Sequence, residues 1–282
     1  MSYTTFDLDI ADQVAHLKLK RPEAFNSMTL AFWQEIVDGF EEIAVTPAVR
    51  AVVISSTGKH FTAGMDLSVF SNVAGNEPKV DRARQNEQLR RNVLEMQQSF
   101  SVIEECRVPV IAAIQGGCIG GGVDMISACD IRLCTKDAWF CIQEINIGMV
   151  ADVGTLQRLP YLIPEGLVRE LAYTGRRLMA DRALKAGLVN EVYDTQEAMV
   201  AAALAMAREI ASKSPLAVTG TKEMLNYSRD HSVADGLNHI ATWNAGMLHS
   251  DDLMEALTAQ KQKRQPKFAD LLPPRSYVKR RR

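Results

Sequence analysis

No apolar run in the 282 residues approaches the roughly 18 needed to cross a bilayer, so no membrane span is expected. Neither charge sign is in excess: 32 Lys and Arg against 34 Asp and Glu leave a net charge of −2. Such a chain carries no strong field toward nucleic acid or a membrane surface. Its five cysteines, Cys106, Cys118, Cys129, Cys134 and Cys141, form no CxxC pair. Their odd number and apolar neighbours predict reduced core thiols in a reducing compartment. The histidines His16, His60, His231, His239 and His249 make no spaced cluster with them, so no metal site is expected. There is no internal repeat, low-complexity tract or flexible linker. The start, MSYTTFDLDIAD, carries acids rather than a basic lead into an apolar run, unlike a secretion signal. The end, Lys279-Arg280-Arg281-Arg282, is basic and is not a peroxisomal Ser-Lys-Leu address. The expected location is cytoplasmic in a bacterium and unassigned among organelles in a eukaryote.

What is present is enough apolar sequence, 47%, for a sizeable core. Phe6–Ile10 and Val14–Leu19 alternate and predict a hairpin. Ser27 is a candidate cap for a helix over Thr29–Ile43, where apolar residues recur at helical spacing. A short strand, Ala51–Ile54, leads into Ser55–Phe70, where Met65-Asp66-Leu67 is a candidate helix start. Residues 72–90 are polar and predict a loop passing into a helix, Gln85–Glu104. Later helices are predicted over Pro164–Tyr173, Ala180–Ala186, Gln196–Ser212, Pro215–Tyr227, Val233–Leu248 and Asp251–Lys263, with a strand at Leu188–Val192. Strands and helices alternate early and helices dominate late. The predicted class is therefore α/β, with a core over residues 1–195 and a helical region over 196–282.

The most informative stretch is Val108–Pro160. An apolar run, Val108–Ile114, has the pattern of a buried strand. Glycines occupy 116, 117, 120, 121 and 122, and a helix is predicted over Val123–Cys129. Such density suits either a tight strand-to-helix turn or a backbone that must approach a ligand, with helix-terminal N–H groups toward negative charge. Three acids, Asp124, Glu144 and Asp152, lie in apolar surroundings, where carboxylates are rarely placed without a partner or a task. Each also has a plainer reading: Asp124 as a first-turn helix acid, Asp152 as a turn or capping residue. His60 is open to the same two readings, general base or structural side chain.

Four motifs taken together, in order, resemble the crotonase superfamily of enoyl-CoA hydratases and isomerases. They are Arg21–Asn26 (RPEAFN), Phe61–Leu67 (FTAGMDL), Gly120–Asp124 (GGGVD) and Gly154–Pro160 (GTLQRLP). Lys263–Phe268 (KRQPKF) resembles the family's closing segment, so the likeness spans nearly the whole chain. Within the superfamily, Gly116–Asp130, Ala151–Arg158, Tyr227–Val233 and Ala241–Asn244 are most similar to the Δ3,5-Δ2,4-dienoyl-CoA isomerase family. The resemblance implies a crotonase fold of repeated ββα units, two mixed sheets packed face to face, and a trimer or a hexamer built of two trimers. It implies an acyl-CoA substrate, with CoA as part of that substrate and no separate cofactor or metal.

It also assigns residues. Asp124, Glu144 and Asp152 match a three-carboxylate pocket. The N–H groups of Ala63 and Gly121 match an oxyanion hole, and Ala63, Gly64, Met65, Asp66 and Leu67 a loop along the CoA. Removing a C2 proton from a CoA thioester places charge on the thioester oxygen, where each preorganised N–H is worth about 3–4 kcal/mol. Glu144 and Asp152 would divide the proton work, Glu144 taking from C2 and Asp152 giving to C6, with Asp124 biasing their protonation. Carboxyls sharing an apolar pocket repel, so at least one should hold its proton near neutrality. Two rival readings accompany this one. An enoyl-CoA hydratase would use two acids around one water, but the hydratase pattern has Glu at position 124 and no acid at 152. An RNA-binding member of the fold rests on Lys279–Arg282 alone.

Overall fold

The structure is a computed structural model that describes residues 2–66, 68–71 and 81–274. Among the described residues, nine strands form two mixed sheets. β1 (Phe6–Ala11) and β2 (Val14–Leu19) are the expected hairpin, followed by β3 (Ala51–Ser56), β4 (Val110–Ile114), β5 (Gly117–Ile119), β6 (Ile131–Thr135), β7 (Trp139–Cys141), β8 (Leu178–Met179) and β9 (Glu191–Tyr193). The large sheet has the order β1-β2-β3-β4-β6-β9, antiparallel only at its β1 edge. The small sheet has the order β5-β7-β8.

Strand β3 is buried along its whole length because both faces of the large sheet are covered. Val52 and Ile54 point into the main core; Ala51 and Val53, alternating with them, point the other way. That second face is sealed by the helix Gln196–Ala211, which presents Met199, Ala203 and Ala207 at four-residue spacing. The main core joins the two sheets, with Leu17, Ile54 and Ile114 from the large one and Cys118, Phe140 and Leu178 from the small one. All five cysteines are free and buried, as their apolar neighbours predict.

The repeating unit explains where the site lies. Strand β4 leads into β5 and then the helix Gly121–Ser127. Strand β6 likewise leads into β7 and then a 3-10 turn, Glu144–Ile147. Each unit gives a long strand to the large sheet, a short one to the small sheet, and then a helical turn. After β3 the pattern is abbreviated: Thr62 alone bridges Cys118 in parallel. Thr62, β5 and β7 therefore run side by side. The residues just past their ends converge: Ala63–Asp66, Gly120–Gly121 and Glu144.

Several boundaries differ from expectation. The glycine stretch contains strand β5, and its helix opens at Gly121 rather than Val123. The helix Arg82–Glu104 begins before Gln85, because the Asp81 carboxylate accepts from the Ala83 and Arg84 N–H groups. The first long helix, Leu30–Val45, has Thr29 at its cap position; Ser27 instead donates to Asp66 Oδ2 at 2.9 Å. Met65 and Asp66 precede a helical turn at Ser68–Ser71, and β9 lies slightly past the predicted strand. The late helices, Pro215–Ser228, Val233–Met247 and Asp251–Gln262, fall close to their predicted spans. Leu67, residues 72–80 and Lys279–Arg282 lie outside the described residues. Among the described residues, no helix is long and apolar enough to cross a membrane.

Candidate active site

A pocket of about 750 Å³ opens where the three segments converge. Its walls include Ala63–Asp66, Gly120, Gly121, Glu144 and Asp152, with Trp33, Ile147, Met149 and Val153 as apolar lining. Arg177 stands at the wall with its guanidinium 3.8 Å above the Trp139 ring.

Two glycines make the convergence possible. Gly64 has φ +80°, and a Cβ there would lie 2.6 Å from the Ile119 carbonyl oxygen. Gly120 has φ +52°, and a Cβ would lie 3.0 Å from Glu144 Oε1. Any larger residue would be strained in backbone and would push the two loops, or the loop and the carboxyl, apart. Gly120 thus gives the glycine stretch its sharp strand-to-helix turn and lets its backbone pass close to the Glu144 carboxyl.

The loop amides refine the expected donors. The Ala63 N–H donates to the Phe25 carbonyl at 2.9 Å, and the Gly64 N–H to Thr62 Oγ1 at 3.1 Å. The Asp66 N–H donates to the Met28 carbonyl at 3.0 Å. Among the described residues, the Met65 and Gly121 N–H groups have no hydrogen-bond partner. The Ala63 N–H, expected as an oxyanion donor, is thus already committed to the Phe25 carbonyl, whereas the Met65 N–H is not committed among the described residues. Nothing in the side-chain sequence signals this, since any residue but proline carries the amide. The Asp66 carboxyl is kept below its ordinary range by hydrogen bonds from Ser68, then from Ser27, and so pins the loop as an anion.

Of the three acids, Glu144 and Asp152 line the pocket, while Asp124 is fully buried behind them. Asp124 sits in the first turn of its helix, yet its Oδ1 accepts from the Thr155 N–H at 2.6 Å, tying that helix to the loop after Asp152. Burial is the main force on all three groups. It pushes Glu144 up to about 7, with help from the charges of Asp124 and Asp152. It pushes Asp124 up to about 6 against the opposing Thr155 hydrogen bonds. It raises Asp152 as well. His60 faces elsewhere: its Nδ1 accepts from the Gly117 N–H at 2.9 Å, a structural use. Among the described residues, no three His, Cys, Asp or Glu side chains cluster as metal ligands.

The raised carboxyls make stability depend on pH. Glu144 and Asp124 bind their protons more tightly folded than unfolded. Their contribution to stability is therefore complete below about pH 4, the ordinary carboxyl range, and is lost as pH rises through about 6–7. Glu144→Gln, which cannot ionise, should gain thermal stability relative to the unmodified protein between pH 5 and pH 8. Calorimetric scans at the two pH values test this; a constant difference in midpoint would contradict the buried, proton-holding Glu144.

The comparisons agree with this geometry. The enoyl-CoA hydratase/isomerase family model matches residues 9–271. The mitochondrial Δ3,5-Δ2,4-dienoyl-CoA isomerase of Homo sapiens is 51% identical over 247 residues, 87% of this chain and 75% of the relative. The peroxisomal Δ3,5-Δ2,4-dienoyl-CoA isomerase of Arabidopsis thaliana is 45% identical over 274 residues, 96% of this chain and 99% of the relative. A crystal structure of an enoyl-CoA hydratase from Bacillus anthracis superposes with a TM-score of 0.85 at 32% identity, covering 94% of this chain and 99% of that one. With two mixed sheets, two free amides beside a carboxylate-lined pocket, and a family match over nearly its whole length, the chain belongs to the enoyl-CoA hydratase/isomerase family, and its fold is the crotonase fold.

Proposed function

We propose that the protein is a Δ3,5-Δ2,4-dienoyl-CoA isomerase of fatty-acid β-oxidation. The observation that carries this reading is the pair of acids raised by burial, Glu144 and Asp152, on the walls of one pocket, in a chain about half identical to isomerases of that name. The thioester oxygen would lie at the Met65 and Gly121 N–H groups, and the acyl chain along Trp33, Ile147, Met149 and Val153. Glu144 takes a proton from C2, and the C2–H electrons enter a trienolate conjugated through C6. Asp152 then gives a proton to C6, which leaves double bonds at C2 and C4. Solvent exchange resets both acids. Asp124, ionised above about pH 6, disfavours a second negative charge nearby and so keeps its neighbours able to hold protons. A base poised near 7 suits proton abstraction at neutral pH. The test is to incubate the protein with 3,5-dienoyl-CoA and with 2-enoyl-CoA and identify the products. A 2,4-dienoyl-CoA from the first supports isomerisation; 3-hydroxyacyl-CoA from the second as the main product would favour the hydratase.

The helical region over 196–282 is the oligomerisation region in this reading, through its helices after Ala211. They leave Leu225, Val233, Leu237, Met254 and Leu257 exposed in the single chain, an apolar surface of the kind that subunits cover. Light scattering at micromolar concentration should give the mass of three or six chains. A stable single-chain mass would contradict it.

A further inference from the structure

The geometry points to Arg158 as a positioning residue for Asp152, held in place by Glu104. The inference rests on the reading of Asp152 as the C6 proton donor. Asp152 lies in an irregular loop between the 3-10 turn Glu144–Ile147 and the short helix Thr155–Arg158, and no strand holds it. Its loop is instead fastened from behind by the helix Arg82–Glu104. Gln97, Ser101 and Glu104 fall on one stripe of that helix, at spacings of four and three. Gln97 Nε2 donates to the Asp152 carbonyl at 2.7 Å. Arg158 reaches the other two: its Nη2 donates to Ser101 Oγ at 3.3 Å and its Nε to Glu104 Oε2 at 3.1 Å.

The same guanidinium folds back over the loop. A Cβ on Gly154 would lie 1.9 Å from Arg158 Nη1, and that nitrogen lies 3.5 Å from the Val153 carbonyl oxygen. Arg158 therefore occupies the space directly behind Val153 and Gly154, next to Asp152. The Arg158 and Glu104 side chains are only 13% and 18% exposed, so the ion pair is shielded from water and charge-assisted. Glu104 is itself braced: Arg229 Nη1 donates to its Oε1, and Asn226 Nδ2 to its carbonyl oxygen at 3.2 Å. Arg158 does not line the pocket, so it acts on the reaction through Asp152 and not on substrate. Its planar fork meets Ser101, Glu104 and the loop at once, which a lysine ammonium cannot reproduce.

A purely structural ion pair would look similar in a single variant, so the test is a cycle. Isomerisation kcat and KM are measured for the unmodified protein, Arg158→Lys, Asp152→Asn and the double variant, with thermal midpoints alongside. A misplaced proton donor costs up to about 10²-fold, so Arg158→Lys should lower kcat by about 10- to 10²-fold with KM little changed. In the Asp152→Asn background the same change should cost nothing further, because the group it positions is gone. Glu104→Gln, run through the same cycle, should act in the same direction and carries the test if Arg158→Lys does not fold. Equal losses in both backgrounds, or an unchanged kcat in folded Arg158→Lys, would overturn the inference while leaving Asp152 as the donor. Full isomerisation by Asp152→Asn alone would overturn the reading of Asp152 and this inference with it.

Discussion

Glu144→Gln is expected to lower dienoyl isomerisation by about 10²–10⁴-fold, the range for a positioned general base, and to lower exchange of the C2 proton with solvent equally. Both effects have one cause: the amide cannot accept the proton from C2, so no trienolate forms. The fold should survive. Glu144 sits in a 3-10 turn with its Oε1 beside Gly120, and glutamine keeps that shape. Asp152→Asn should separate the two readouts. Isomerisation should fall over the same range, while C2 exchange should persist, because Glu144 and both N–H donors remain. Equal loss of exchange in Asp152→Asn would mean that the change had damaged the pocket as a whole. Wild-type exchange in Glu144→Gln would take the C2 base away from Glu144.

Gly121→Pro is the second large effect. Proline removes one of the two free N–H groups at the pocket, and loss of a single oxyanion donor costs about 10²–10³-fold in turnover. The position favours a clean test. Gly121 is the first residue of its helix, where proline's fixed φ is tolerated and its missing N–H breaks no intrahelical bond. The added Cβ would meet Met28 Sδ at 3.0 Å, the end of a flexible side chain. Circular dichroism should therefore match the unmodified protein while turnover falls. A folded Gly121→Pro variant with unchanged kcat would exclude this amide from the oxyanion hole.

The parts of the chain that were legible before the structure share a physical reason. Ala180–Ala186 ends at Gly187 with φ +86°, and Gln196–Ala211 buries Met199, Ala203, Ala207 and Ala211 at four-residue spacing, so period and stop signal agree with the observed helices. The hairpin was legible from alternation. The small sheet was not. Gly117–Ile119, Trp139–Cys141 and Leu178–Met179 are too short to show a period, and only distant pairing makes them strands. That sheet is what brings Met65, Gly121 and Glu144 together, so the site's assembly was out of reach of local pattern. The three acids were legible as unusual carboxylates in apolar sequence. Their grouping came from family resemblance, since residues 124 and 144 are twenty positions apart. His60 shows the opposite error of scale: a residue type suited to catalysis is used to hold the Gly117 amide. The Arg158 network could not be read at all, because its members come from three separated segments.

The central claim is that one acid takes a proton at C2 and another delivers one at C6. It is tested most directly by running the reaction on 3,5-dienoyl-CoA in D2O and locating deuterium in the product by NMR. The account predicts 2,4-dienoyl-CoA labelled at C6, since Asp152 recharges from solvent before each delivery. A product lacking deuterium at C6, or a 3-hydroxyacyl-CoA in its place, would contradict it.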